Sequence, residues 1–123
     1  MLSEYNFNSR IFSTGYWNVF YCIAFSMKES NKEKIKAFFN NAFIPCSQCQ
    51  LNYENYLISH PLTDIQTHTE MVQWVFNLHN EIRLSKGLSL LDFDYTIILY
   101  NNHHSNSIIY NQLSQESSNC PNC

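Results

Sequence analysis

Ile44-Pro45-Cys46-Ser47-Gln48-Cys49 is a Cys-x-x-Cys pair set behind a proline, at the point where one helical pattern ends and the next begins. A proline just ahead of the pair favours a fresh helix start. A thiolate at a helix N-terminus faces unpaired backbone N–H groups, which stabilise its charge and lower the thiol's pKa. One of the two cysteines is therefore expected to be a nucleophile near neutral pH, and the pair reads as a redox disulfide.

Moving upstream, Ile35, Phe38, Phe39, Ala42 and Phe43 recur at helical spacing opposite Lys32, Lys34 and Lys36, an amphipathic stripe. Ser30-Asn31-Lys32-Glu33 has capping-box spacing, so that second helix is expected to start there. Before it, Trp17, Phe20, Tyr21, Ala24 and Phe25 share one face of a first helix from Ser13 or Thr14 to Met27. Residues 1–12 are polar and are expected to be loose. Downstream, Leu51, Tyr53, Tyr56, Leu57 and Ile58 continue a third helix from the cysteine pair to Pro61, which cannot prolong it. Thr67-His68-Thr69-Glu70 is a second capping box, followed by Met71, Trp74, Val75, Leu78 and Ile82 on one face of a fourth helix. Lys86-Gly87 is its stop, with glycine supplying the left-handed turn.

The stretch from Asp92 to Tyr100 carries β-branched residues that suit a strand and an aspartate, Asp94, that suits a helix cap. No partner strand is in sight, so a short fifth helix is expected. From Asn101 the chain turns to Asn, Ser, His and Gln and reads as a flexible tail ending in a second pair, Cys120-Pro121-Asn122-Cys123. The fold class is all-α: a four-helix bundle with a short fifth helix over residues 13–100, and a tail over 101–123.

The totals agree with one small helical domain. A chain of 123 residues holds one core, and only 2 glycines argue against a turn-rich sandwich. A net charge of -3 without a Lys or Arg cluster leaves no footprint for nucleic acid. The apolar run from Tyr16 to Met27 is too short to span a bilayer. Arg10 before that run and Ala24-Phe25-Ser26 at its end loosely resemble a signal peptide, but Glu4 and the surrounding Asn and Ser fit one poorly. Two pairs plus Cys22 are unlike a dense secreted disulfide framework; Cys22 reads as a small buried hydrophobe.

Three stretches together resemble the Erv/ALR type of FAD-linked sulfhydryl oxidase. They are Trp17-x-x-x-Tyr21-x-x-Ala24 in the first helix, Pro45-Cys46-x-x-Cys49 opening the third, and Trp74-x-x-x-x-His79-Asn80-Glu81-Ile82 in the fourth. Short forms of this family occur in large DNA viruses. The resemblance implies a dimeric helical bundle binding FAD, with Cys46 and Cys49 against the flavin and Trp17, Tyr21, Trp74, His79, Asn80, Arg83 and Lys86 around the nucleotide. Cys46 would exchange with the dithiols of protein substrates and Cys49 would pass electrons to the flavin, with oxygen as acceptor and hydrogen peroxide as product. Cys120 and Cys123 would be a shuttle pair carried on the tail. The family's usual His stands as Tyr21 here, and its usual Asn as Arg83. A structural disulfide of many cellular members is replaced by Phe76 and Tyr95, for which a packed aromatic pair is expected.

Other readings were weighed against the same residues. A zinc knuckle would use both cysteine pairs, but would want its ligands on turns of folded segments. A thioredoxin-like protein needs a βαβ frame that the sequence lacks. A non-enzymatic helical interaction module would leave the cysteines idle. The resemblance implies no metal site, and His60, His68, His103 and His104 read as solvated loop residues.

Overall fold

The structure is a computed structural model that describes the backbone of residues 9–105 and the side chains of residues 14–101. Five helices follow one another: α1 (Ser9–Phe25), α2 (Lys32–Asn40), α3 (Ser47–Ser59), α4 (His68–Ser85) and α5 (Phe93–Ser105). There is no strand among the described residues. The first four helices share one core, and α5 packs on α1.

That core is aromatic. Phe20 from α1 meets the ring of Phe39 from α2 edge-on at 5.1 Å and lies 6.0 Å from Tyr53 of α3. Trp74 from α4 closes the group against Phe39 and Tyr56 at 5.6 and 5.3 Å. Edge-to-face rings bury large areas and interlock, each such pair adding about 1 kcal/mol to the burial itself. Two buried polar tips are satisfied within the bundle: the Tyr53 hydroxyl donates to the Phe39 carbonyl, and Trp74 Nε1 donates to the His60 carbonyl at 2.8 Å.

The helix ends explain where the chain turns. Thr67 accepts from the Glu70 N–H while the Glu70 carboxylate accepts from the Thr67 N–H, the reciprocal box expected from sequence. At the far end of α4, Leu88 N–H reaches the Arg83 carbonyl and Gly87 N–H the Leu84 carbonyl, with Gly87 at φ 74. This pair of bonds is a Schellman closure, and glycine accepts the left-handed conformation without strain.

Several expectations are corrected. The Ser30–Glu33 capping box does not form. Asn31 caps α2 by position only, because its side chain is committed to the preceding turn, accepting from Lys28 N–H and donating to the Ser26 carbonyl. The α2 stripe is half right: Ile35 and Phe39 are buried, whereas Phe38 and Phe43 are exposed and Lys36 is 8% exposed. Lys36 sits under the α3–α4 connection, where its ammonium donates to the Thr63 carbonyl at 3.4 Å.

Helix α1 begins at Ser9, inside the stretch expected to be loose, and α5 runs to Ser105, past the expected boundary at Tyr100. In both places no proline intervenes, and each added residue gains a hydrogen bond once a helix exists. The cap of α5 is Asp92, which accepts from the Tyr95 N–H at 2.8 Å, and not Asp94. Phe76 packs edge-on against Phe93 at 4.9 Å, while Tyr95 is 66% exposed. The aromatic contact at the α4–α5 turn thus exists with a different partner.

Candidate functional site

Cys46 is the N-cap of α3. Its backbone is extended, at φ -101 and ψ 121, and its sulfur accepts from the Cys49 backbone N–H at 3.2 Å. Pro45 lies one position ahead of the cap, so the sulfur itself, and not proline at the first helical position, closes the helix end. Gln50 holds the approach to the pair. Its side chain accepts from Ile44 N–H at 2.6 Å and reaches the Ala42 carbonyl at 3.5 Å. The Tyr16 hydroxyl of α1 donates to the Phe43 carbonyl just upstream. The segment entering the Cys-x-x-Cys is therefore fastened from α1 and from α3.

The two thiols are electrostatically unequal. A hydrogen bond from the Cys49 thiol, with the backbone N–H of Cys49 and Gln48 and the charge of Lys86, holds the Cys46 thiol below its usual pKa. Burial pushes the Cys49 thiol up, and its hydrogen bond to Cys46 and the proximity of that sulfur push the same way. The pair therefore carries its first negative charge on Cys46, the outer sulfur, as unpaired N–H groups at a helix start require.

Cys49 opens onto a cleft of about 580 Å³, its open mouth included. Trp17 and Tyr16 from α1, Ile44, Tyr53 from α3, Ile82 and Lys86 form much of its wall. The wall is largely aromatic and apolar, with a thiol on one side and an ammonium at the C-terminal end of α4. Behind the Trp17 indole lies His79, stacked on it at 3.9 Å with the planes 15° apart. The Tyr21 hydroxyl is 3.0 Å from His79 Nδ1, and the Tyr21 ring stacks on Tyr100 of α5 at 4.1 Å. Burial, and secondarily the charge of Arg83, pushes the His79 pKa down to about 4, so the imidazole is neutral at ordinary pH.

Residues 14–101 match the Erv1/Alr family over most of the chain. The chain belongs to that family. Among curated proteins it is similar to a probable FAD-linked sulfhydryl oxidase of Acanthamoeba polyphaga mimivirus, 30% identical over 73 residues, which is 56% of this chain and 51% of that protein. The chain thus spans about half the length of the curated relative it matches. No solved structure matches it.

Within this Erv1/Alr chain the residues singled out by sequence fall into three groups. Trp17, Cys49 and Lys86 line the cleft together. Tyr21 and His79 are buried behind Trp17. Asn80 and Arg83 serve the loop after α4: Asn80 Oδ1 accepts from Leu91 N–H at 2.8 Å while its Nδ2 donates to the Leu91 carbonyl at 3.4 Å, and Arg83 Nε donates to the Ser89 carbonyl at 2.7 Å. Trp74 stands apart from the cleft wall, in the core between Phe39, Tyr53 and Tyr56. Cys120 and Cys123 lie outside the described residues. Cys22 is half-buried, and burial pushes its thiol up to about 11.

Sequence reasoning missed Tyr16, Tyr53 and Ile82 as cleft residues, and Gln50 as the clamp on the cysteine segment. Two of these had a signal. Tyr53 is four residues after Cys49, and Ile82 four before Lys86, so each shares a helix face with a residue already marked. Gln50 had none, because its partners lie in the connection ahead of its own helix. Among the described residues, no three His, Cys, Asp or Glu side chains gather to hold a metal ion, and no helix is long and apolar enough to cross a membrane.

Proposed function

We propose that this chain is a FAD-dependent sulfhydryl oxidase, forming disulfides in protein dithiols with oxygen as the final acceptor and hydrogen peroxide as product. One observation carries the reading: in an Erv1/Alr chain, a Cys-x-x-Cys with an outer sulfur of lowered pKa places its inner sulfur on the wall of an aromatic, largely apolar cleft. The cleft fits the cofactor chemically, since a flavin ring wants planar apolar walls and a diphosphate wants a cation. Trp17 and Tyr53 would flank the group and Lys86 would face its phosphates. FAD, when bound, supplies the two-electron chemistry that links a dithiol to oxygen.

The remaining steps belong to the chain. A substrate thiolate attacks Cys46 of the oxidised Cys46–Cys49 pair, forming a mixed disulfide and releasing Cys49 as the leaving thiolate. The second substrate thiolate then attacks the substrate sulfur of that bond. It leaves a substrate disulfide and a reduced Cys46–Cys49 pair, two electrons and two protons having left the substrate. Cys46 suits the first exchange because it is the outer sulfur and the better leaving group in the second. Lys86 steadies negative charge on either sulfur. Asn80 and Arg83, by pinning residues 89–91, hold the turn that carries Lys86.

Cys120 and Cys123 form the shuttle in this scheme, taking electrons from substrate and passing them to Cys46. A homodimer is its assembly. Exposed Leu84 at the end of α4, Leu88 and Leu90 in the α4–α5 connection and Ile98 on α5 support a second copy as partner. Purified protein with the visible spectrum of an oxidised flavin, bleached by a dithiol and restored by air, is the expected result; colourless protein that takes up stoichiometric zinc would overturn the proposal. Cys46→Ser and Cys49→Ser should each abolish dithiol-dependent oxygen consumption with flavin still bound. Removing Cys120 and Cys123 should spare small dithiols and impair protein substrates. Sedimentation analysis checks the dimer.

A further inference from the structure

Tyr21 does not line the cleft, yet it touches the imidazole on which Trp17 is stacked. Its side chain is fully buried, and burial keeps its phenol protonated far above neutral pH. Among the described residues its hydroxyl has one hydrogen-bonding partner, His79 Nδ1 at 3.0 Å. Were Nδ1 to carry the proton and donate, the phenolic hydrogen would be buried without an acceptor, which costs the desolvation of that group. The hydroxyl therefore donates, and Nδ1 accepts through its lone pair. A neutral imidazole with an accepting Nδ1 carries its proton on Nε2. Among the described residues Nε2 has no hydrogen-bonding partner and, since no buried nitrogen or oxygen there is left unpaired, it keeps some access to the surface.

We infer that Tyr21 is a positioning residue whose hydroxyl holds His79 as the Nε2–H tautomer, so that the imidazole gives Trp17 an uncharged stacking face and offers one outward N–H donor. Tyr100 completes the device, since its ring stacks on Tyr21 and ties the arrangement to α5. The inference rests on the proposed flavin nucleotide as the cleft's ligand for its consequence: His79 backs the Trp17 indole on the cleft wall, and losing the Tyr21 hydroxyl loosens that wall and weakens nucleotide binding without touching either cysteine.

The test is a long-range proton–nitrogen NMR spectrum of the histidine rings in the full-length protein near neutral pH, with Tyr21→Phe beside it and FAD as the binding probe. In the wild type, His79 Nδ1 should resonate as an unprotonated nitrogen and Nε2 as a protonated one. In Tyr21→Phe both should move toward tautomer-averaged positions, and FAD should bind more weakly, by at most roughly 5-fold, the worth of the one hydrogen bond removed behind the Trp17 wall. A wild-type spectrum with Nδ1 protonated overturns the inference, and needs no variant. So does Tyr21→Phe with unchanged His79 nitrogens, or with shifted nitrogens and unaltered FAD affinity. A protein that shows the Nε2–H tautomer but never binds flavin overturns the oxidase reading and leaves the tautomer assignment standing; a flavoprotein with Nδ1–H does the reverse.

Discussion

Acidification should unfold this protein in part through His79, by an amount that the structure sets. The imidazole is neutral when folded because burial, helped by Arg83, pushes its pKa from 6.5 to about 4, while the unfolded chain takes up the proton at the ordinary value near 6.5. Between those two values the unfolded state binds more protons, so stability falls as pH falls. Above the upper value nothing is lost, and below the lower one nothing more is lost. At about 1.4 kcal/mol per pH unit, the gap costs about 2 kcal/mol by pH 5 and about 3 kcal/mol by pH 4. Carboxylates titrate in the same range, so the informative quantity is the difference between the wild type and His79→Gln. Urea unfolding followed by far-ultraviolet circular dichroism, at several values from about pH 7 to about pH 4, should show the wild type losing its advantage over the variant by that amount. A difference that stays flat across the window would refute the buried neutral imidazole. One that grows on acidification would mean His79 finds an anionic partner when charged.

Three further outcomes follow from local geometry. Iodoacetamide near neutral pH should modify Cys46 before Cys49, by peptide mapping, and Lys86→Met should move the pH midpoint of that reaction upward; faster labelling of Cys49 would reverse the assignment. Thr67→Ala removes the side-chain half of the α4 capping box and should cost about 1 kcal/mol in urea unfolding, with no cost if the box is ornamental. A Cβ at Gly87 meets nothing within 4 Å, so Gly87→Ala should cost only backbone strain, about 1 kcal/mol net. Gly87→Asn should be milder, because asparagine tolerates the left-handed region. A larger loss in the alanine variant, or an equal one in both, would contradict that account.

The helices, the Thr67 cap and the Gly87 stop were legible because they depend on neighbours in sequence. Thr67 and Glu70 form their box within a single turn, and Gly87 closes α4 with bonds spanning three and five residues; that the Cys46 sulfur is itself the cap of α3 only the structure shows. The same locality marked one of the two cysteines as a nucleophile before any packing was known, and the structure puts the charge on Cys46. The Ser30–Glu33 box failed for the reason the others succeeded: Asn31 had a competing local partner in the preceding turn.

What a side chain faces was decided elsewhere. The α2 periodicity treats Phe38 and Phe39 alike and sets Lys36 on the polar side, but only the arrival of α3 and α4 buries Phe39, leaves Phe38 at the surface and covers Lys36. The sequence marks Trp17 and Trp74 equally; tertiary packing sends Trp17 to the cleft and Trp74 into the core, because Trp74 Nε1 finds the His60 carbonyl there. Asn80 and Arg83 are marked by the sequence without their partners, and the fold bonds both to the α4–α5 loop. The Cys-x-x-Cys and its helix start are written in consecutive residues, since capping and the pull of backbone N–H groups act within one turn. The cleft beside Cys49, and the Tyr21–His79 bond behind it, join residues dozens of positions apart. They exist only once the hydrophobic core has fixed α1, α3 and α4 against one another.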